Sequence, residues 1–505
     1  MKKFYYLICA LLFVSLLISS SSMALSRSFK EDQEEQWCTT SSFVPGHDFG
    51  RAGWPQYFSA GYEDTALACA LDHDHHIVAT GYTFDSSTGD FLTIKYDSQG
   101  NEIWNATYDG GEDDLAFGIA INSENKVFVY GFSGNWSSLE GELVLVVYSE
   151  VGTQEWTKSF TFDVCNYPGG ITIDSQDNII VTGGSGDWQQ NMYCWIIKMT
   201  HDGSDCWNST FHEGLIDIGL AVTVDFNDHI LLSGINYSPF AGSIFLIKYN
   251  EAGQELWKRR LYGEDVWGLA VDSENNIIMV GRNYSYYTQD LSTLTAKWSS
   301  SGDFLWQQEY TSGGFEGLEG VAVDSQDNIV AVGYSSFGVQ QQYEHLAFYY
   351  SADGEELCLK RPMNEGFLYD VVIDTDDTLY VVGGYVFESQ YMYFYTDVFE
   401  DMEPPEGEIL KPQDTTLYIL NRELFQLPKN TIAFGKLTVQ IDAVDPADIS
   451  KVEFYVDNIL MATITTEPWE WLWETRSFGR HTLKVMIYDE TGCSVRDEQT
   501  LFKFF

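Results

Sequence analysis

The sequence predicts an all-β chain: a seven-bladed β-propeller closed by an N-terminal strand, followed by a small β-sandwich. Three recurrences predict the propeller. A glycine returns at Gly81, Gly131, Gly183, Gly234, Gly281, Gly333 and Gly383, spaced 47–52 residues apart. An upstream Asp or Asn accompanies it, as Asp72, Asn122, Asp174, Asp225, Asp272, Asp324 and Asp374. A tryptophan marks a third position at Trp104, Trp156, Trp207, Trp257 and Trp306, with Cys358 in the sixth copy. Agreement at three positions over seven copies is the mark of a repeat architecture.

The chain opens with Met1-Lys2-Lys3, an apolar run from Phe4 to Ile18, and the small-x-small triplet Ser22-Met23-Ala24. This pattern predicts a cleaved secretion signal over 1–24, too short to span a bilayer, and a linker over 25–52. The expected location is secreted, extracellular or cell-surface, with no transmembrane segment after cleavage. Asp and Glu number 75 against 27 Lys and Arg, a net charge of −48 in 505 residues. Such acidity repels phosphate backbones and anionic lipid, so nucleic acid is excluded as a starting partner.

Each repeat reads as four short strands. An apolar strand such as Gly320-Val-Ala-Val-Asp324 leads through a polar turn to a β-branched run ending at the glycine. A variable loop, a third strand (Phe91 to Tyr96) and a fourth (Asn101 to Tyr108) carrying the tryptophan complete the unit. Four strands every ~50 residues make a propeller blade. The seventh repeat lacks a fourth strand, whereas Trp54-Pro-Gln-Tyr-Phe58 matches Trp104-Asn-Ala-Thr-Tyr108. The N-terminus is therefore expected to supply the missing strand and remove the open sheet edge.

The pattern Asp-x-x-x-Asn-Ile-x-Val-x-Gly … Lys-Tyr-Asp-x-x-Gly-x-x-x-Trp over 53–399 resembles the prokaryotic β-propeller repeat family of secreted and cell-surface proteins. The resemblance implies a seven-bladed ring and no common activity. The Asp-x-x-Gly-x-x-x-Trp portion also looks like the tryptophan-docking repeats of pyrroloquinoline-quinone dehydrogenases. Those have eight blades and a vicinal cysteine pair, both missing here, so no cofactor is expected.

Pro404-Pro405 marks a linker over 400–407, and alternating strands over 408–505 predict a small β-sandwich. Val452 to Asp457, Pro468 to Trp473 and Gly479 to Val485 resemble archaeal-type immunoglobulin-like domains of surface proteins, which implies a spacer or adhesion module. Trp469, Trp471 and Trp473 alternate onto one strand face. A sandwich core is the expected role, with a sugar-stacking platform as the alternative.

Among the polar clusters, Asp72-His-Asp-His-His76 and the Asp-rich turns read as hairpin turns rather than metal sites. His76 occupies the place of Asn178, His229, Asn276 and Asn328, where a left-handed residue is expected. No metal-ligand set is predicted, beyond weak calcium attraction by the collective charge. The cysteines show no CxxC pairs; one bridge, involving Cys194 and Cys206, is weighed against none. N-glycosylation acceptors are Asn105, Asn135, Asn208, Asn236 and Asn283.

No catalytic residue is assigned, because no repeat is expected to introduce clustered His, Arg or Asp. The expected function is non-catalytic binding or scaffolding of a surface protein or glycan by the variable-loop face, notably the loops at 284–293 and 337–344. The alternative is a glycan-active hydrolase or lyase with carboxylates at the channel. Fold alone does not choose.

Overall fold

The computed structural model describes residues 53–504, apart from 60–62, 85–87, 188–190, 238–241, 285–290, 313, 338–341, 361–365, 388–390, 400–404, 445–448, 458 and 490–492. The expected signal and N-terminal linker lie outside the described residues. Every regular element among the described residues is a strand, and no helix is long and apolar enough to cross a membrane.

Each sequence repeat is an antiparallel group of strands. In the first unit, Glu63–Leu71, Ile77–Phe84, Gly89–Tyr96 and Glu102–Tyr108 pair in chain order. The next five units repeat this, with inner strands Asp113–Ile121, Cys165–Ile173, Ile216–Val224, Asp265–Val271 and Glu316–Val323. The last unit has three strands of its own: Gly366–Ile373, Leu379–Phe387 and Tyr391–Phe399. Its fourth is the N-terminal strand Gln56–Phe58, paired with residues 394–396. Each inner strand packs against the next, and Gly366–Ile373 packs against Glu63–Leu71. The arrangement is a propeller.

The repeat glycines are required by close approach. A Cβ on Gly81 would lie 1.9 Å from the Thr65 carbonyl oxygen, and one on Gly333 would lie 2.0 Å from that of Gly317. Beside each glycine the inner strand bulges, leaving Leu67, Phe117, Gly169–Gly170, Leu220, Trp267, Glu319 and Tyr369 outside the ladder register. A bulge re-aims the side chain it carries, which matters for the site described below.

The repeat Asp closes its turn. Asp174 Oδ1 accepts the backbone N–H groups of Gln176 and Asn178, and Asp72, Asp225, Asp272 and Asp324 do the same in their own turns. The left-handed residue is one place earlier than expected: His75, Asn125, Asp177, Asp228, Asn275, Asp327 and Asp377 have φ of 57–64°. His76 instead donates its backbone N–H to Asp72, so the shift follows from the Asp acceptor needing that N–H.

A lysine from the third strand reaches the same acid. Asp72–Lys95, Asp174–Lys198, Asp225–Lys248 and Asp272–Lys297 are buried ion pairs of 2.6–2.9 Å. Where the second unit has Asn122 instead of Asp, it has Val147 instead of Lys. In the sixth, the Tyr349 hydroxyl takes the lysine's place on Asp324.

Neighbouring units are stitched at their turns and their rims. Ser123 bonds Asp177, Ser175 bonds Asp228, Ser273 bonds Asp327 and Ser325 bonds Asp377, each through N–H and hydroxyl. Between the last unit and the first the link is His75 Nδ1 to Asp374. On the outer strands, the indole N–H of Trp54, Trp104, Trp207 and Trp306 donates to a carbonyl in the following unit's turn. Trp156 and Trp257 lie against the matching turn glycines, Gly203 and Gly302.

The C-terminal domain is a sandwich of a three-stranded sheet (Glu406–Lys411, Leu437–Val444, Glu470–Trp473) and a seven-stranded sheet containing the hairpin Phe478–Asp489 and Ser494–Phe504. Its first strand begins at Glu406, within the stretch expected as a linker. Trp469 and Trp473 are buried in the core beside Val439, Phe454 and Val485, and Trp471 packs against it. The tryptophans are core, and no sugar platform is formed by them.

The cysteine expectation is corrected. Cys194 and Cys206 are free: Cys194 pairs with Phe211 across the ladder, whereas Cys206 lies at the far end, next to Lys198's partner Trp207. The bridge joins Cys358 of the sixth unit to Cys493 of the sandwich, with a Cα–Cα distance of 4.3 Å.

Candidate ligand site among the inner strands

Polar residues from several units converge at the centre of the propeller. Arg282, 2% exposed, directs Nε and Nη2 at Asp265 and donates from Nη1 to the Tyr334 hydroxyl at 2.7 Å. The Glu319 carboxylate lies 4.0 Å from Arg282. Glu264 accepts the Tyr237 hydroxyl at 2.8 Å. Tyr167 of the third unit lies within electrostatic reach of Asp265, Arg282 and Glu319. Tyr369 of the seventh lies within reach of Tyr82, Glu319, Tyr334 and Glu63. Convergence of the first unit and the third to seventh places the cluster at the axis.

Local structure explains these placements. Glu319 and Tyr369 sit at the bulges beside Gly333 and Gly383, and Trp267 at the bulge beside Gly281. Arg282 directly follows its repeat glycine and faces Asp265 across the ladder. Its guanidinium stands over the Trp267 ring, 5.7 Å from the centroid, and the buried Trp267 Nε1 has no hydrogen-bond partner.

Burial dominates the electrostatics. Desolvation, reinforced by Asp265, pushes the Glu264 carboxyl up to about 7. Desolvation pushes Glu319 up to about 8 against the opposing pull of Arg282. Burial also keeps the Tyr334, Tyr167 and Tyr369 phenols neutral by raising their pKa values. The centre thus offers phenol and carboxyl hydrogen-bonding groups beside aromatic rings.

The expectation that no repeat introduces clustered polar residues is overturned. Arg282 stands where other units have Tyr82, Phe132, Gly184, Ile235, Tyr334 and Gly384. Glu319 stands where others have Leu67, Phe117, Gly169, Leu220, Trp267 and Tyr369. Both departures are readable by aligning the repeats, but only the bulge shows that the two positions meet.

Of the other candidates, Asp72, Asp74 and His76 each bring one ligand atom within 4.8 Å of the other two. Asp72 near His76 has both oxygens engaged, by backbone N–H groups and by Lys95 and His76. Asn105, Asn135 and Asn208 are exposed, and Asn283 donates to Glu309. Asn236 is 3% exposed, donating to Asp217 and accepting from Arg260, which removes it as a surface acceptor in the folded protein.

Residues 427–485 match the bacterial Ig domain family. A segment of 239 residues, 43% of this chain, is 26% identical to an uncharacterized WD repeat-containing protein, L264, of Acanthamoeba polyphaga mimivirus. The match spans 15% of that relative's length. Among solved structures, the polysaccharide lyase Uly1 superposes with a TM-score of 0.43 at 9% identity, covering 72% of this chain and 94% of its own. The extracellular domain of the hybrid two-component system BT3049 of B. thetaiotaomicron gives 0.26 at 10% identity, covering 87% and 67%. The chain combines a propeller with an Ig-like domain.

Proposed function

We propose that this chain is an exported, non-catalytic binding protein: a closed seven-bladed propeller (53–399) whose centre takes a neutral polyhydroxylated ligand, a glycan, with an Ig-like domain (408–505) fastened to its rim. The cycle of inner-strand contacts, and the N-terminal strand completing the last unit, support seven closed blades. The Cys358–Cys493 bridge supports export, since disulfides persist in oxidising compartments. Exposed Asn105, Asn135 and Asn208 are then the glycan acceptors of the protein itself.

The Arg282 cluster carries the ligand reading. Arg282 is matched by Asp265, and Glu319, pushed up to about 8, holds a proton at neutral pH. Hydroxyl-rich ligands suit such neutral donors and acceptors between aromatic walls. A hydrolase or lyase is the second reading, favoured by Glu319 as a carboxyl still protonated at pH 7. Glycoside hydrolysis also needs an ionised carboxyl nearby, and Asp265 is held on both oxygens by Arg282.

A glycan-binding screen by calorimetry on the full chain tests this. Binding by the wild type, weakened at least tenfold in Trp267→Ala and Glu319→Gln, is expected. Shortened products in the same mixtures would establish the enzyme reading instead, and binding unaffected by both variants would move the site elsewhere.

A further inference from the structure

At the junction of the first and second units three carboxylates meet. Asp90 lies on the third strand of the first unit, Asp109 follows its outer strand, and Asp114 lies on the second unit's inner strand. One oxygen from each lies within 4.8 Å of the other two. Asp114 is fully buried, Asp90 half-buried and Asp109 exposed. Asp114 Oδ2 accepts the Gly110 N–H, but Oδ1 is buried with no hydrogen-bond partner. Ser133, opposite it in the ladder, favours the charged form from nearby without closing a bond to Oδ1.

The other units show what this junction lacks. A buried Asp, Asn or Glu recurs at the Asp114 position as Asp64, Asn166, Asp217 and Glu316, and the residue five places earlier is Ser59, Thr161, His212 or Thr311. Those residue types can donate. His212 Nδ1 lies 3.2 Å from Asp217 Oδ2, and the Thr311 hydroxyl donates to Glu316 Oε2 at 3.2 Å, while the other oxygen accepts from Asn236 or Ser335. At the first junction the same place holds Asp109, which brings a second negative charge where a donor belongs.

We propose that Asp90, Asp109 and Asp114 bind one calcium ion at this junction. A hard divalent cation with oxygen ligands satisfies the orphaned Asp114 oxygen and the excess charge together. The ion would join the third strand of one unit to the inner strand of the next. Asp109 keeps the site open to water, which suits the flexible, partly hydrated coordination of calcium better than the strict octahedron of magnesium.

Calorimetric titration of calcium chloride into chelator-treated full-length protein tests the site, with thermal melts in parallel. One calcium per chain and a calcium-dependent rise in Tm are expected, with magnesium at least tenfold weaker. Asp109→Thr, which installs the donor found at this place in two other units, should abolish both signals while raising the Tm of the calcium-free protein. Asp114→Asn should also abolish them. If that buried variant does not fold, Asp109→Thr decides alone. Asp353→Asn, in a distant exposed turn, should leave binding unchanged. Absence of calcium binding by the wild type, or binding and stabilisation undiminished in Asp109→Thr, overturns the proposal.

Discussion

Cys358 and Cys493, 135 residues apart, are joined by a disulfide that fastens the Ig-like domain to the sixth unit. Cys358 occupies the place that Trp104, Trp207 and Trp306 use to grip the turn of the following unit. The outer strand of the seventh unit comes instead from the N-terminus. At 358 the partner is the sandwich, through Cys493. Arg496 and Glu355 add an exposed pair at 3.2 Å beside the bridge.

Cutting this bridge should uncouple the domains. Closing a long loop stabilises by roughly 2–5 kcal/mol. Cys358→Ser, or reduction of the wild type, is expected to split one calorimetric transition into two and to speed proteolytic cleavage between the domains. A single unchanged transition would mean that the packing alone holds the domains together.

The buried acid–lysine pairs yield a compensation test. Lys198→Val leaves Asp174 buried without its cation and should cost roughly 3–5 kcal/mol in urea unfolding. The double variant Asp174→Asn/Lys198→Val reproduces the natural Asn122 and Val147 of the second unit. It should recover most of the loss, whereas additive penalties would show that the two side chains are not coupled.

Two pH limbs follow from opposite shifts. Asp72, Asp174, Asp225 and Asp272 are shifted down: burial opposes ionisation, and the lysines with the turn N–H groups outweigh it. Their folded pKa values lie below the unfolded ones, so they stabilise above the ordinary carboxylate range and lose this as pH falls through the folded values. Glu319 is the reverse. Its folded value of about 8 exceeds the unfolded one, so its contribution is complete at low pH and is lost as pH rises toward 8. Glu319→Gln should flatten the stability profile between pH 5 and 8, and an unchanged slope there would contradict the assignment.

The N-terminal strand should be indispensable to the last unit. Trp54 is 7% exposed and packs edge-on against Tyr96 and Tyr380, bridging units one and seven. Trp54→Ala should cost roughly 3–5 kcal/mol. Near-wild-type melting of a chain lacking residues 1–59 would show that three strands suffice.

The repeats were legible because glycine, acid and tryptophan each answer to one local demand: close approach, turn closure and rim docking. The unit boundaries and the borrowed N-terminal strand followed from their spacing. What stayed hidden depends on register. Nothing in the run Gly317-Leu-Glu-Gly320 marks Glu319 as bulged out of the ladder toward the Arg282 of another unit. The bridge was equally hidden, because Cys358 and Cys493 belong to different domains, while Cys194 and Cys206 looked close only by counting along the chain. The lysine pairs were readable in principle from the second unit, where Asn122 replaces the acid and Val147 replaces the lysine together. Seeing this requires comparing two columns of the repeat at once.

The seventh unit is built from both ends of the propeller segment, and the chain leaves it directly for the Ig-like domain. A pull on that domain would otherwise peel Tyr391–Phe399 away from Leu379–Phe387 one hydrogen bond at a time. The covalent tie to Cys358 diverts the load into the sixth unit, whose four strands come from one continuous stretch of chain. The covalent anchor point of the C-terminal domain therefore lies one unit away from the seam where the two ends of the propeller segment meet.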